Sequence, residues 1–140
     1  MSSEAREAAD RMHSASIHLL RRVAREDAKA GTSPARLSAL SVLVFAGPKT
    51  VSELASMERV KVPTMSRLVT AMEGEGLVRR APHGADGRSV VLHATARGRR
   101  VLDRARELRL AALEGLLSQA SREELATVRT AAAIVDRLVL

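Results

Sequence analysis

The sequence predicts a mainly α-helical chain that carries one small β-hairpin. Three observations lead there. Apolar residues recur at spacings of three and four along most of the 140 residues, and the period changes only between Leu77 and His93. Hydrophobic residues make up 46% of the chain, too many for a disordered basic tail, so a core must be buried. Phe45 is the single aromatic residue, with no Trp and no Tyr, and packing therefore falls to Leu, Val, Ala, Ile and Met, the side chains of helix-on-helix architectures.

Each element has its own signal. Residues 8–28 read as a long helix, with Met12, Ser16, Leu19 and Val23 on one stripe. The A-G-T-S run from Ala30 to Ser33 breaks it. Ser33 followed by Pro34 marks a new start, a hydroxyl cap and then a proline where no N–H is needed. This second helix runs through Leu37, Leu40, Leu43 and Val44 to Gly47-Pro48. Either Thr50 or Ser52 can cap a short third helix, and Thr50 with Glu53 has the spacing of a capping box. After a brief turn near Glu58–Lys61, a fourth helix turns Val62, Met65, Leu68, Val69 and Met72 inward and ends at Gly74 and Gly76. Leu77–Ala81 and Ser89–His93 are short β-branched runs joined by a Gly-rich tip, the pattern of a hairpin. Helix returns at Ala94–Gly98 and continues through Leu117, and Ser121 with Glu124 caps a final helix through Leu138.

The formal charge is +7, from 23 basic and 16 acidic residues, and 20 of the basic residues are Arg. The excess is uneven: +2 over residues 1–48, +5 over 49–100 and zero over 101–140. An Arg-rich surface that merely solvates the chain would spread its charge evenly. Concentration in the middle points to a polyanion, nucleic acid first and anionic membrane second. The absence of cysteine excludes disulfides, thiol switches and Cys-ligated metals. With no secretory signal and no apolar run of about 20 residues, the expected setting is soluble and cytoplasmic, with no membrane partner.

Two short helices, a tight turn and a basic hairpin make a winged helix-turn-helix. The expected organisation is an N-terminal dimerisation helix over 1–30, a DNA-binding domain over 31–98 and C-terminal dimerisation helices over 99–140. Opposite the apolar stripe of the fourth helix stand Pro63, Arg67 and Thr70, flanked by Thr64 and Val60, and the outer first turns add Lys61 and Ser66. Small residues allow close approach to base edges in a groove about 12 Å wide, and an arginine forks onto guanine or grips a phosphate. The hairpin adds Arg79, Arg80, His83 and Arg88, with Arg88 at the tip suited to a minor groove. Asp86 has two readings of equal weight: it holds an arginine in position, or Asp86-Gly87 is simply a good turn pair. Ser33, Ser38 and Ser52, beside helix starts, suit phosphate oxygens.

At this point the chain resembles the MarR family of bacterial transcription regulators. The likeness is carried by Val51-Ser-Glu-Leu-Ala, Pro63-Thr-Met-Ser-Arg-Leu-Val, Glu75-Gly-Leu-Val-Arg-Arg, Asp86-Gly-Arg-Ser-Val-Val-Leu and Ala94-Thr-Ala-Arg-Gly. Leu92-His93 stands where Leu-Thr is more usual in the family. The resemblance implies a homodimer on a pseudo-palindromic operator in double-stranded DNA, and repression relieved by a small-molecule effector. It also implies an effector site between the dimerisation helices and the winged domain, drawing here on His13, Ser16 and Phe45 with Leu40, Val44 and residues near Leu108. The neutral, amphipathic ends fit pairing across a two-fold, which would space two recognition helices about 34 Å apart.

No catalytic constellation is present: no Gly-rich phosphate loop, no G-x-S-x-G and no H-E-x-x-H. His13 and His18 lie about 140° apart on a helix, so they form no metal pair, and no cofactor or metal is expected. The reading of a different class is a helical interaction protein whose basic winged face binds a protein or an acidic surface. An exposed apolar patch on the fourth helix would favour it, whereas small and basic residues there favour DNA.

Overall fold

The computed structural model describes residues 3–140. Along the chain run α1 (Ser3–Ala24), a 3₁₀ turn (Asp27–Ala30), α2 (Pro34–Phe45), α3 (Val51–Met57) and α4 (Val62–Gly74). The strands β1 (Val78–His83) and β2 (Ser89–Ala94) follow, then α5 (Ala96–Leu117) and α6 (Arg122–Val139). The mainly helical class with one hairpin is thus as expected.

The core sits where α2, α3 and α4 meet the root of the hairpin. Leu40, Leu54, Met72 and Leu92 are wholly buried there, with Met65, Val69, Leu77 and Val78 around them. Each fully buried aliphatic side chain contributes about 1.5–3 kcal/mol, so this cluster carries the stability of the middle segment. The two strands pair antiparallel with Val78 opposite Ala94 and His83 opposite Ser89. Lys49 adds a bridge on the far side of β2, exchanging backbone hydrogen bonds with Leu92. One close approach fixes how α5 leaves the hairpin. A Cβ on Gly98 would lie 2.2 Å from the carbonyl oxygen of Leu77 and 3.0 Å from Leu40, so only glycine fits. Thr95 reinforces the joint: its hydroxyl donates to the Gly76 carbonyl at 2.6 Å and accepts from the Gly98 N–H.

Two ion pairs tie distant segments together. Arg109 of α5 grips Asp27 with two bonds of 2.6 and 2.7 Å, and the Asp27 side chain is 1% exposed. Removing Arg109 leaves the Asp27 carboxylate buried without its partner, at a cost of about 3–5 kcal/mol, whereas Arg109 left alone keeps contact with water. Arg36 of α2 holds Glu75, just past α4, in a similar two-armed contact, with its shortest bond at 2.7 Å.

The terminal helices are different. Val23 is the one buried residue of α1, and α6 has none. Met12, Leu19, Leu20, Val128, Ile134 and Leu138 all face outward.

Several boundaries differ from expectation. The first helix spans Ser3–Ala24 rather than 8–28, because the chain tightens after Val23, whose carbonyl takes the Glu26 N–H, and carries Asp27 to Arg109. Val62 was expected inside. It is 46% exposed, because it opens α4 ahead of the turn that meets the core. Pro82 and His83 belong to β1 rather than to the tip, and β1 is an edge strand, where proline is tolerated.

Candidate nucleic-acid interface

α3 is a seven-residue support whose start is secured by reciprocal bonds. The Glu53 N–H donates to the Thr50 hydroxyl at 3.1 Å, and the Thr50 N–H donates to the Glu53 carboxylate at 3.3 Å. It ends in a Schellman turn, with Val60 N–H on the Ala55 carbonyl and Arg59 N–H on the Ser56 carbonyl. α4 then begins at Lys61, which caps it without a side-chain bond. Met65, Val69 and Met72 anchor α4 from below, each at most 1% exposed.

That anchoring decides which face α4 offers. Lys61, Pro63, Thr64, Arg67 and Thr70 are exposed, and Ser66 is half-buried. No ion pair within the described residues engages Lys61 or Arg67. Thr70 is partly occupied: its hydroxyl donates to the Ser66 carbonyl at 2.9 Å and accepts from Arg80 at 3.4 Å. Arg80 also reaches Glu73 at 3.3 Å, so the first strand of the hairpin is pinned to the end of α4. Arg80 therefore aligns the hairpin with the helix as well as adding charge.

At the tip, Asp86 serves the turn, and its contact with the Arg88 side chain is longer than a hydrogen bond. Its carboxylate accepts the Arg88 backbone N–H at 3.2 Å, which makes the turn, and lies 3.7 Å from the Arg88 guanidinium. The Arg88 side chain remains 88% exposed. Arg79 and His83 are exposed on β1. Among the hydroxyls, Ser33 caps α2 by accepting from the Arg36 N–H at 3.4 Å, and Ser38 donates to Glu58 at 2.6 Å. Ser52 is exposed on the first turn of α3.

A cleft of about 560 Å³ opens between α2 and α5, lined by Ser38, Ser41, Val42, Phe45, Arg106 and Arg109 among others. Of the three residues expected at an effector site, only Phe45 lines it, at 80% exposure. His13 and Ser16 are exposed on α1, and the Ser16 hydroxyl donates to the Met12 carbonyl at 2.7 Å. Leu40 is core rather than lining. Among the described residues no group of three or more His, Asp or Glu could hold a metal ion, and no helix is long and apolar enough to cross a membrane.

A buried helix pair with a small, basic outer face, followed by a basic hairpin, defines a winged helix-turn-helix protein. The sequence profile of the MarR family matches residues 32–90. Over 139 residues the chain is 34% identical to an HTH-type transcriptional regulator of Mycobacterium tuberculosis and 31% identical to one of Mycobacterium leprae, covering 99% of this chain and 96% of each relative. A MarR family protein from Bacillus stearothermophilus shares the fold with a TM-score of 0.81 at 23% identity, over 98% of this chain and 96% of that one. MarR from Escherichia coli in its apo form superposes with a TM-score of 0.75 at 18% identity, over 94% and 96% of the two chains. The chain belongs to the MarR family of transcription regulators, DNA-binding proteins rather than enzymes.

Proposed function

We propose that the chain acts as a homodimer that seats one α4 per copy in the major groove of a pseudo-palindromic operator and one hairpin tip in the adjoining minor groove. The observation that carries this reading is the outer face of α4. Lys61, Thr64 and Arg67 are exposed there above an anchored apolar stripe, and no ion pair among the described residues takes Lys61 or Arg67. Arg67 reads bases or phosphates, and Arg88, pre-aimed by Asp86, enters the minor groove. Ser52 takes a phosphate directly, Ser33 donates its free hydroxyl proton while still accepting from Arg36, and Ser38 does so only by giving up its bond to Glu58.

The exposed apolar faces of α1 and α6 support the two-fold pairing. A dimer carries a formal charge of +14, twice that of one chain, so affinity falls steeply as salt rises. The protein acts in the cytoplasm, on the nucleoid, as a repressor. A small ligand in the cleft between α2 and α5 releases DNA by favouring a spacing of the two lobes that does not fit the operator. His13 and Ser16 stand apart from that cleft in the single chain, so a part for them in the effector site requires the second copy.

Selection of duplexes from a random pool tests the reading. A palindrome with half-sites about one helical turn apart is the expected product. A pool that enriches no palindrome overturns the proposal.

A further inference from the structure

Two helices of this chain end in the same backbone motif with different residues at its key position. At the end of α4, the Leu77 N–H reaches the Met72 carbonyl and the Gly76 N–H reaches that of Glu73. At the end of α3, Val60 reaches Ala55 and Arg59 reaches Ser56 by the same pattern. The residue in the left-handed position is Gly76 in the first case, at φ +76°, and Arg59 in the second, at φ +57°. Five glycines of the chain also have positive φ, whereas Arg59 is the one other described residue that does. A long side chain is disfavoured there, and glycine would relieve the strain.

The two backbone bonds of the turn would form equally with glycine there, and among the described residues no side-chain contact repays the choice of arginine. The Arg59 side chain is exposed and makes no hydrogen bond or ion pair with the other described residues. Its neighbour Glu58 accepts from Ser38 instead. Strain that packing does not repay directs attention to what the side chain does outside the fold. Arg59 sits two residues before the cap of α4, at the edge of the face that carries Lys61 and Thr64.

We propose that Arg59, in the turn between α3 and α4, contacts a DNA phosphate and is held in a glycine-type backbone position for that purpose. The proposal rests on the seating of α4 in the major groove. An arginine at this edge reaches the sugar-phosphate strand flanking the helix, and so adds affinity and register without reading bases.

The test uses Arg59→Gly in the full chain, with Arg59→Asn as a second variant because Asn also tolerates the left-handed region. Binding is measured across a salt series on the duplex enriched from a random pool and on a mixed-sequence duplex of equal length. Arg59→Gly should raise Tm by roughly 2–4 °C as strain is lost. It should weaken both duplexes by a similar factor of roughly ten, and make the salt slope shallower by about 0.9 per half-site. Arg59→Lys should keep most of the affinity. Unchanged affinity and slope in the Gly and Asn variants, alongside a large loss in Arg67→Ala, overturn the role of Arg59 while the seating of α4 stands. A loss confined to the enriched duplex overturns the phosphate assignment. If Arg67→Ala also binds normally, the seating itself falls, and this proposal with it.

Discussion

Between α2 and β2 most large apolar side chains find partners within their own chain, Phe45 and Val62 being among the exceptions, whereas along α1 and α6 almost none do. Leu37, Ala39, Leu40 and Leu43 of α2 are buried, as are Met65, Val69 and Met72 of α4, but α6 has no buried residue at all. Both regions are amphipathic in sequence, so pattern alone does not separate them. The difference lies in what surrounds each stripe. The middle segment folds back on itself through short connections, while α6 follows a 22-residue helix and meets little of its own chain. One region is a finished core, and the other is an apolar surface that its own chain leaves uncovered.

The largest expected effect is on the open half. Replacing Val128 and Leu138 with Glu should leave the fold of each chain intact, because both side chains are exposed. It should turn a two-chain sedimenting species into a one-chain species and reduce operator affinity by about 10²–10⁴, the factor lost when linked half-sites bind separately. A wild-type chain that already sediments as a monomer would break the comparison. Gly98→Ala strikes the closed half. Its Cβ meets backbone rather than a flexible side-chain tip, so thermal unfolding should show a loss of about 3 kcal/mol. A variant as stable as the parent would show that α5 has room to shift.

Next in size are Arg67→Ala and Arg88→Ala, each expected to cost about 1–3 kcal/mol of binding at fixed salt, with circular dichroism unchanged. The smallest effect concerns Arg36 and Glu75. Hydrogen bonds from the Arg36 guanidinium hold the Glu75 carboxyl below its ordinary value of 4.5. The charged carboxylate therefore stabilises the fold above that ordinary value, and the contribution disappears as pH falls through the depressed one. Because both side chains are partly exposed, solvent screening keeps it below about 1 kcal/mol. Glu75→Gln should flatten this part of the acid limb of stability while leaving the plateau near neutral pH only slightly lower.

How much of this could be read from residues alone follows the range of the interactions. Ser33-Pro34, Thr50 with Glu53, and Ser121 with Glu124 all cap helices as their spacing implies, because a cap involves residues three positions apart. The exposed face of α4 was legible for the same reason, since helical phase depends on local repeat. The end of α1 was not, because it depends on Arg109, 82 residues away from Asp27. The cleft was legible in part: Phe45 and the residues near Leu108 do supply walls from α2 and α5, whereas His13 and Ser16 sit on α1, a placement that depends on how distant helices pack. The left-handed turn at Arg59 is not legible, because arginine gives no hint of positive φ. The missing glycine between α3 and α4 was the available clue.

Gly98 has a mechanical consequence. Where other helices rest on their neighbours through side chains that can slide or rotate, α5 touches the base of the hairpin main chain to main chain, and Thr95 bolts the same spot. Such a joint has almost no play. α5 is about 33 Å long at 1.5 Å per residue, so a tilt of about 10° moves its far end by roughly 6 Å relative to that pivot. A rigid pivot of this kind would turn a push delivered near Leu117 into rotation of the hairpin, with α5 as the crank arm.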